Sequence, residues 1–171
     1  MPLDAFHAAC TYAWPWTACI AEFKFRGEAG RAAPLAALMH GIPGVRAALD
    51  TADLILPMPL APKRLMERGF NQAHELARRL APDKTDPALL LRTRDTPPQS
   101  GLSRAHRLRN LQGAFAIEPL RAPTVSGRRV MVVDDVMTSG VSLFTAARVL
   151  REAGATQVTA VVFARTEVPA S

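Results

Sequence analysis

Hydrophobic positions along the chain fall into continuous runs and helically spaced stripes. Residues 130–133 (Val, Met, Val, Val) are an unbroken apolar run rather than an alternating one, which predicts a strand buried on both faces of a parallel sheet. A second buried strand is expected over 157–164. Between them, Leu143, Ala146, Ala147, Val149 and Leu150 recur at helical spacing, so 141–153 reads as a helix with Gly154 as its C-cap. A strand, helix and strand in this order require a parallel pair joined by a right-handed crossover. Upstream, 53–59 reads as the first strand, and Pro57 and Pro59 place its end near an edge or in a loop. The helix after it carries Ala73, Leu76, Ala77 and Leu80. Nearer the N-terminus, Trp16, Cys19, Ile20 and Phe23 share a helical face, with Pro15 in the first turn and Gly27 as the stop. Leu35, Leu38 and Met39 mark a further helix broken at Gly41 and Pro43. The pattern is α/β: a mainly parallel twisted sheet flanked by helices. Residues 1–50 form a helical or mixed N-terminal part and 53–166 the core of a single domain.

Composition agrees with one domain. A chain of 171 residues with 49% hydrophobic side chains can bury one sizeable core. Its net charge of +6 comes almost wholly from arginine, 18 of the 21 basic residues. Arginine favours planar, bidentate contact with phosphate, so an anionic partner is expected. Charge alone does not separate pyrophosphate from nucleic acid or from a solubility effect. Cys10 and Cys19 lack the spacing of a disulfide framework or a zinc ribbon, and are expected to be reduced and packed. Tyr12, Trp14 and Trp16 fit a core cluster, with a base-stacking platform as the alternative. No signal-peptide pattern opens the chain, and no run approaches the roughly twenty apolar residues of a membrane span. A cytoplasmic location is expected.

The chemistry is concentrated at the end of the strand over 130–133. Asp134 and Asp135 follow it directly, and then come Met137, Thr138, Ser139, Gly140, Val141 and Ser142 at the start of the next helix. Ligands of such sheets sit beyond the carboxyl ends of strands. Hydroxyls, a close-approach glycine and the N–H groups of a helix N-terminus make an anion cradle there. A carboxylate pair would repel a bare phosphate, so the acids are expected to face vicinal hydroxyls or a bridging Mg²⁺ on the same ligand. A ribose 5-phosphate satisfies both halves. The segment 130–142 resembles the phosphoribosyl pyrophosphate (PRPP) signature of type I phosphoribosyltransferases. Neither a G-x-x-x-x-G-K-[ST] nor a G-x-G-x-x-G motif is present.

Two basic segments complete the candidate site. Pro59, Leu60, Ala61, Lys63 and Arg64, with Arg68, lie where a strand turns into a helix and form the candidate pyrophosphate loop. Cations at a helix start oppose its dipole and need another reason to be there. Residues 92–110 hold Arg92, Gln99, Arg104, Arg107 and Asn110 around a Pro-Pro step, and read as a mobile lid. Such a lid would exclude water and meet the departing pyrophosphate. Gripping a nucleic-acid backbone and a solvated helix face are the alternatives.

The order Phe23-Lys24-Phe25-x-Gly27, Pro57-x-Pro59-Leu60, Arg64, Arg68-Gly69-Phe70-Asn71-Gln72, then Arg92, Thr96, Gln99, Leu102, Arg107, Asn110, Phe115 and the PRPP loop resembles the ComF family over nearly the whole chain. The resemblance implies a type I phosphoribosyltransferase fold with a small hood-like N-terminal subdomain, often linked to DNA uptake in natural competence. The zinc finger at the start of many members is not reproduced by Cys10 and Cys19, so no zinc is expected. The catalytic set would be Asp134, Asp135 and Arg107, with Asp134 and Asp135 holding ribose hydroxyls directly or through Mg²⁺. PRPP is the expected ligand, with transfer of its phosphoribosyl group to an acceptor that no residue identifies. The competing readings are a non-catalytic PRPP sensor that binds single-stranded DNA or a DNA-processing protein, and a purine or pyrimidine salvage enzyme. No membrane partner is expected, and a homodimer is left open.

Overall fold

A computed structural model describes residues 2–25, 29–94 and 113–167. Four strands form one parallel sheet in the order β1 (Ala5–Thr11), β6 (Gln157–Arg165), β5 (Arg129–Met137), β2 (Leu54–Pro57). The central strands β5 and β6 are buried along most of their length, as expected of strands covered on both faces. Side-chain alternation divides them cleanly. Met131, Val133, Val161 and Phe163 join one buried cluster, with residues of helices α1 (Trp16–Phe25), α2 (Ala32–His40), α3 (Pro43–Thr51) and α5 (Gln72–Leu80). Val130, Val132, Val158, Ala160 and Val162 face the other way, against α6 (Val141–Glu152) and the antiparallel pair β3 (Leu90–Arg92) and β4 (Phe115–Ile117). The short helix α4 (Pro62–Arg68) follows β2.

Several elements depart from the sequence pattern. Residues 5–11 form an edge strand that the pattern does not announce: Ala, Phe, His, Ala, Ala, Cys and Thr are mostly small or polar, and all are at least partly exposed. Pairing with β6 supplies what propensity does not. Strand β2 stops at Pro57, on the edge where a missing N–H is tolerated. Pro43 does more than break the second helix, since it opens α3 at a position where a proline suits the first turn. Leu38 is 47% exposed, and Ala32, Leu35, Ala36 and Met39 form the buried face of α2 instead. Strand β5 does not end before the acids but runs through both to Met137. Arg92 is the last residue of β3, its guanidinium over the Phe115 ring, rather than part of a loop. Gly27 and the lid positions Gln99, Arg104, Arg107 and Asn110 lie outside the described residues.

Helix α1 is the element that ties the first part of the chain to the site. Trp16 sets its ring edge-on to Phe163 of β6, with centroids 5.5 Å apart, while Phe23 meets Phe70, between α4 and α5, at 5.7 Å. The helix therefore crosses the strands near their carboxyl ends. Ile20 and Phe23 are fully buried beneath it, each worth about 1.5–3 kcal/mol of transfer free energy. Trp14, just before the helix, is 84% exposed and takes no part in that packing.

Candidate functional site

The carboxyl end of β5 and the start of α6 enclose a small cleft lined by Asp134, Met137, Thr138, Ser139, Gly140, Val141 and Ser142, together with Val136 and Leu143. All eight residues expected from sequence to bind the phosphosugar, except Asp135, line it. Gly140 makes the turn into the helix: its φ of +73° is a left-handed conformation that side chains resist. A Cβ there would come within 2.9 Å of the Phe144 ring and 3.3 Å of Met137 Sδ, so the loop closes over this position without room to spare. The loop is also tied from β6's side. Thr166 donates its backbone N–H to the Met137 carbonyl (2.9 Å) and its hydroxyl to the Thr138 carbonyl (3.1 Å). The first turn of α6, Val141 to Leu143, lines the same cleft, and the N–H groups of a helix's first turn have no partner within the helix.

The two acids have different neighbours. Asp134 lines the cleft, whereas Asp135 is 7% exposed and its Oδ2 lies 3.0 Å from Lys24 Nζ on α1. Each carboxylate accepts the next residue's amide: Asp135 N–H to Asp134 Oδ1 at 2.9 Å, and Val136 N–H to Asp135 Oδ1 at 2.7 Å. Asp134 is pushed up to about 8, first by desolvation and then by the charge of Asp135, with Lys24 pulling the other way. Strongly perturbed carboxyl groups of this kind cluster at functional sites.

Beyond β2, the expected pyrophosphate loop is partly helical. Pro59, Leu60 and Ala61 form the turn, and Pro62 opens α4, so Lys63, Arg64 and Arg68 stand on a helix that closes on Gly69 at φ +79°. Asn71 holds this region to the core. Its side chain caps α5 by accepting from His74 N–H (3.3 Å) and donates to the Met58 carbonyl at the end of β2 (3.0 Å). Arg68 donates to Gln72 Oε1 at 3.1 Å. Lys24 and Asn71 are contributors to which the sequence reading assigned no role, although both stand in the motifs that carry the family resemblance; Asn71 could have been found as an N-cap residue before an amphipathic run, and Lys24 only from its place in the Phe23-Lys24-Phe25-x-Gly27 motif.

Among the described residues, no group of three or more His, Cys, Asp or Glu side chains could hold a metal ion, and no helix is long and apolar enough to cross a membrane. Two carboxylates without further protein ligands nevertheless fit a Mg²⁺ that arrives with phosphate oxygens. The buried Asp135 Oδ2, which accepts no hydrogen bond of good geometry, is an acceptor such a group could use.

Fold and cleft together define a phosphoribosyltransferase-type domain. Residues 65–170 match the phosphoribosyl transferase domain family, and the chain belongs to it. Its relatives narrow the group to the one the sequence resembles. It is 34% identical over 163 residues to the DNA utilization protein YhgH of Escherichia coli (strain K12), covering 92% of this chain and 70% of the relative. It is also 34% identical over 155 residues to Competence protein F of Haemophilus influenzae, covering 86% and 66%. Competence protein ComFC of Bacillus subtilis is 33% identical over 105 residues, 61% of this chain and 41% of that one. A glutamine PRPP amidotransferase from B. subtilis shares the fold, with a TM-score of 0.50 at 18% identity, over 84% of this chain and 30% of that one.

Proposed function

We propose that this protein binds PRPP with Mg²⁺ and transfers its phosphoribosyl group to an acceptor, in work connected with DNA uptake. The observation that carries the reading is the cleft at the end of β5, where Asp134 and the 137–142 loop stand together at the N-terminus of α6. The loop hydroxyls and amides of Thr138, Ser139, Gly140, Val141 and Ser142 would hold the 5-phosphate. Asp134 would accept hydrogen bonds from the ribose hydroxyls, and Asp135 would serve the same sugar from the α1 side. Lys63, Arg64 and Arg68 would meet the pyrophosphate. In the reaction the bond from the anomeric carbon to pyrophosphate breaks, a bond to the acceptor nucleophile forms, and pyrophosphate leaves with its electron pair. The residues supply positioning and charge complementarity, and no side-chain nucleophile is required. Mg²⁺ would neutralise pyrophosphate charge when bound. The acceptor would enter from the open groove beside the loop, between the ends of β1 and β6, lined by Cys10, Thr11, Arg165 and Thr166.

Calorimetric titration with PRPP and Mg²⁺ tests this reading. Micromolar binding by the wild type, lost in an Asp134→Asn/Asp135→Asn variant that remains folded, is expected; no binding by folded wild type refutes it. The names of the relatives favour one second reading, a PRPP-responsive protein that binds single-stranded DNA without catalysis. Its mark would be DNA affinity falling steeply with salt and no pyrophosphate release with any acceptor.

A further inference from the structure

Lys24 comes from the part of the chain farthest in sequence from the phosphate loop, yet it stands against the acid pair. Its Nζ lies 3.0 Å from Asp135 Oδ2, with the side chains only 19% and 10% exposed. That oxygen is buried and accepts no well-aligned hydrogen bond, so Lys24 neutralises Asp135 through proximity rather than through a locked donor geometry. The difference matters. An arginine fork would fix the carboxylate, whereas an ammonium on a four-carbon stem can change partners at little cost. The helix itself is not free to follow, because Phe23 is completely buried against Phe70, and Trp16 is fixed on Phe163. Lys24 also sits in the last turn of α1, where the helix dipole favours a cation whichever anion it faces.

We infer that Lys24 is a ligand-binding residue held in reserve: it is the counter-ion of Asp135 before a ligand binds, and it transfers to a phosphate group of the ligand when ribose hydroxyls or a divalent cation take over Asp135. The inference rests on the PRPP reading of the cleft and adds to it a residue and a sequence of events. It resolves a problem that the acid pair creates. Two carboxylates beside an anion cradle repel an anionic ligand, and a neighbouring cation offsets that repulsion until the ligand's own hydroxyls or metal replace it. Once displaced, the ammonium would gain a charge-assisted hydrogen bond to a ligand phosphate in place of the one it gives up, instead of being left buried and unpaired. Asp134 faces the cleft instead, where it is available to the sugar from the start.

The test compares two probes on three full-length proteins: wild type, Lys24→Met, which keeps the apolar stem, and Lys24→Arg. Mn²⁺ alone competes with Lys24 for Asp135, so Lys24→Met should bind it about five- to tenfold more tightly. Mg²⁺-PRPP needs the released ammonium, so the same variant should bind it about tenfold more weakly, the loss expected for one charged hydrogen bond to phosphate. Lys24→Arg should recover much of the PRPP affinity. A merely structural role would move both probes in one direction or neither, and either result overturns the inference. Should Lys24→Met fail to fold because Asp135 is left buried and unpaired, Lys24→Gln/Asp135→Asn is compared with Asp135→Asn. A further loss of about tenfold in PRPP affinity supports the inference, and equal affinities overturn it. Wild type that binds Mn²⁺ but no PRPP would defeat the proposed function, while the Mn²⁺ arm still decides whether Lys24 guards Asp135; wild type that binds neither defeats both.

Discussion

Replacing Gly140 with alanine asks how much of the cradle's shape is enforced by one backbone conformation. Two terms oppose the substitution. A left-handed φ of +73° costs an alanine about 1–2 kcal/mol relative to glycine. The new Cβ would lie 2.9 and 3.2 Å from two carbons of the Phe144 ring and 3.3 Å from Met137 Sδ, closer than side chains pack. Overpacking of that kind costs a further ~1–3 kcal/mol. The loss of unfolded-state freedom returns about 0.4–1 kcal/mol. The net expectation is a destabilisation of about 2–4 kcal/mol. Gly69 provides the control, since its φ of +79° is equally left-handed but nothing lies within 4 Å of a Cβ there. Gly69→Ala should therefore cost only about 1 kcal/mol, the backbone contribution alone. Urea denaturation of both variants and the wild type, with unchanged m-values, gives the comparison directly. Gly140→Ala should also weaken PRPP binding, because relieving the contact moves Met137 or Phe144 and with them the loop. Equal destabilisation by the two alanines would show that the crowding around Gly140 is not real and that the loop is less closely fitted than described.

Three further outcomes are expected. Asp134 is held near 8 in the folded protein against about 4 in an unfolded chain, so the native state keeps a proton that the unfolded state has lost. Its contribution to stability is present at low pH and lost as the pH rises towards 8; the melting temperature of Asp134→Asn should therefore gain on that of the wild type across this window, and parallel curves would refute the assignment. Asn71→Ala removes the cap on His74 N–H and the bond to the Met58 carbonyl together, and should cost about 1–2 kcal/mol in urea denaturation, with a value near zero refuting the double role. Thr166→Val deletes the hydroxyl that reaches the Thr138 and Met137 carbonyls, and should weaken PRPP binding in calorimetry; unchanged affinity would show that the loop holds its shape without these bonds.

The order of residues along the chain was enough to specify the existence and type of the elements in the central unit. The apolar run leading to Asp134, the hydroxyl-rich turn and the helical stripe from Leu143 to Leu150 are contiguous, and local periodicity carries contiguous information. Residues 5–11 could not be read in this way. Their side chains are too small and polar to declare a strand, and they adopt one because β6 offers an unpaired edge. The same limit explains the extent of β5. Acids disfavour strand structure locally, but pairing of Asp134 with Val162, Val136 with Ala164 and Met137 with Arg165 carries the ladder through them.

The acids mark the boundary between the two kinds of information. Their adjacency was visible in the sequence, but that the strand runs on through them and so turns the two neighbours to different faces was not. What each would meet there was not implied. Only the crossing of α1 over the carboxyl ends of the strands, fixed by Trp16 on Phe163 and Phe23 on Phe70, brings Lys24 to Asp135 and leaves Asp134 to the cleft. Chemistry that depends on neighbours in sequence is set by the chain itself, because backbone geometry fixes it. The pairing of a lysine with a carboxylate on a distant strand is set by packing, because a non-directional hydrophobic effect decides where a helix lies and the charges it carries follow.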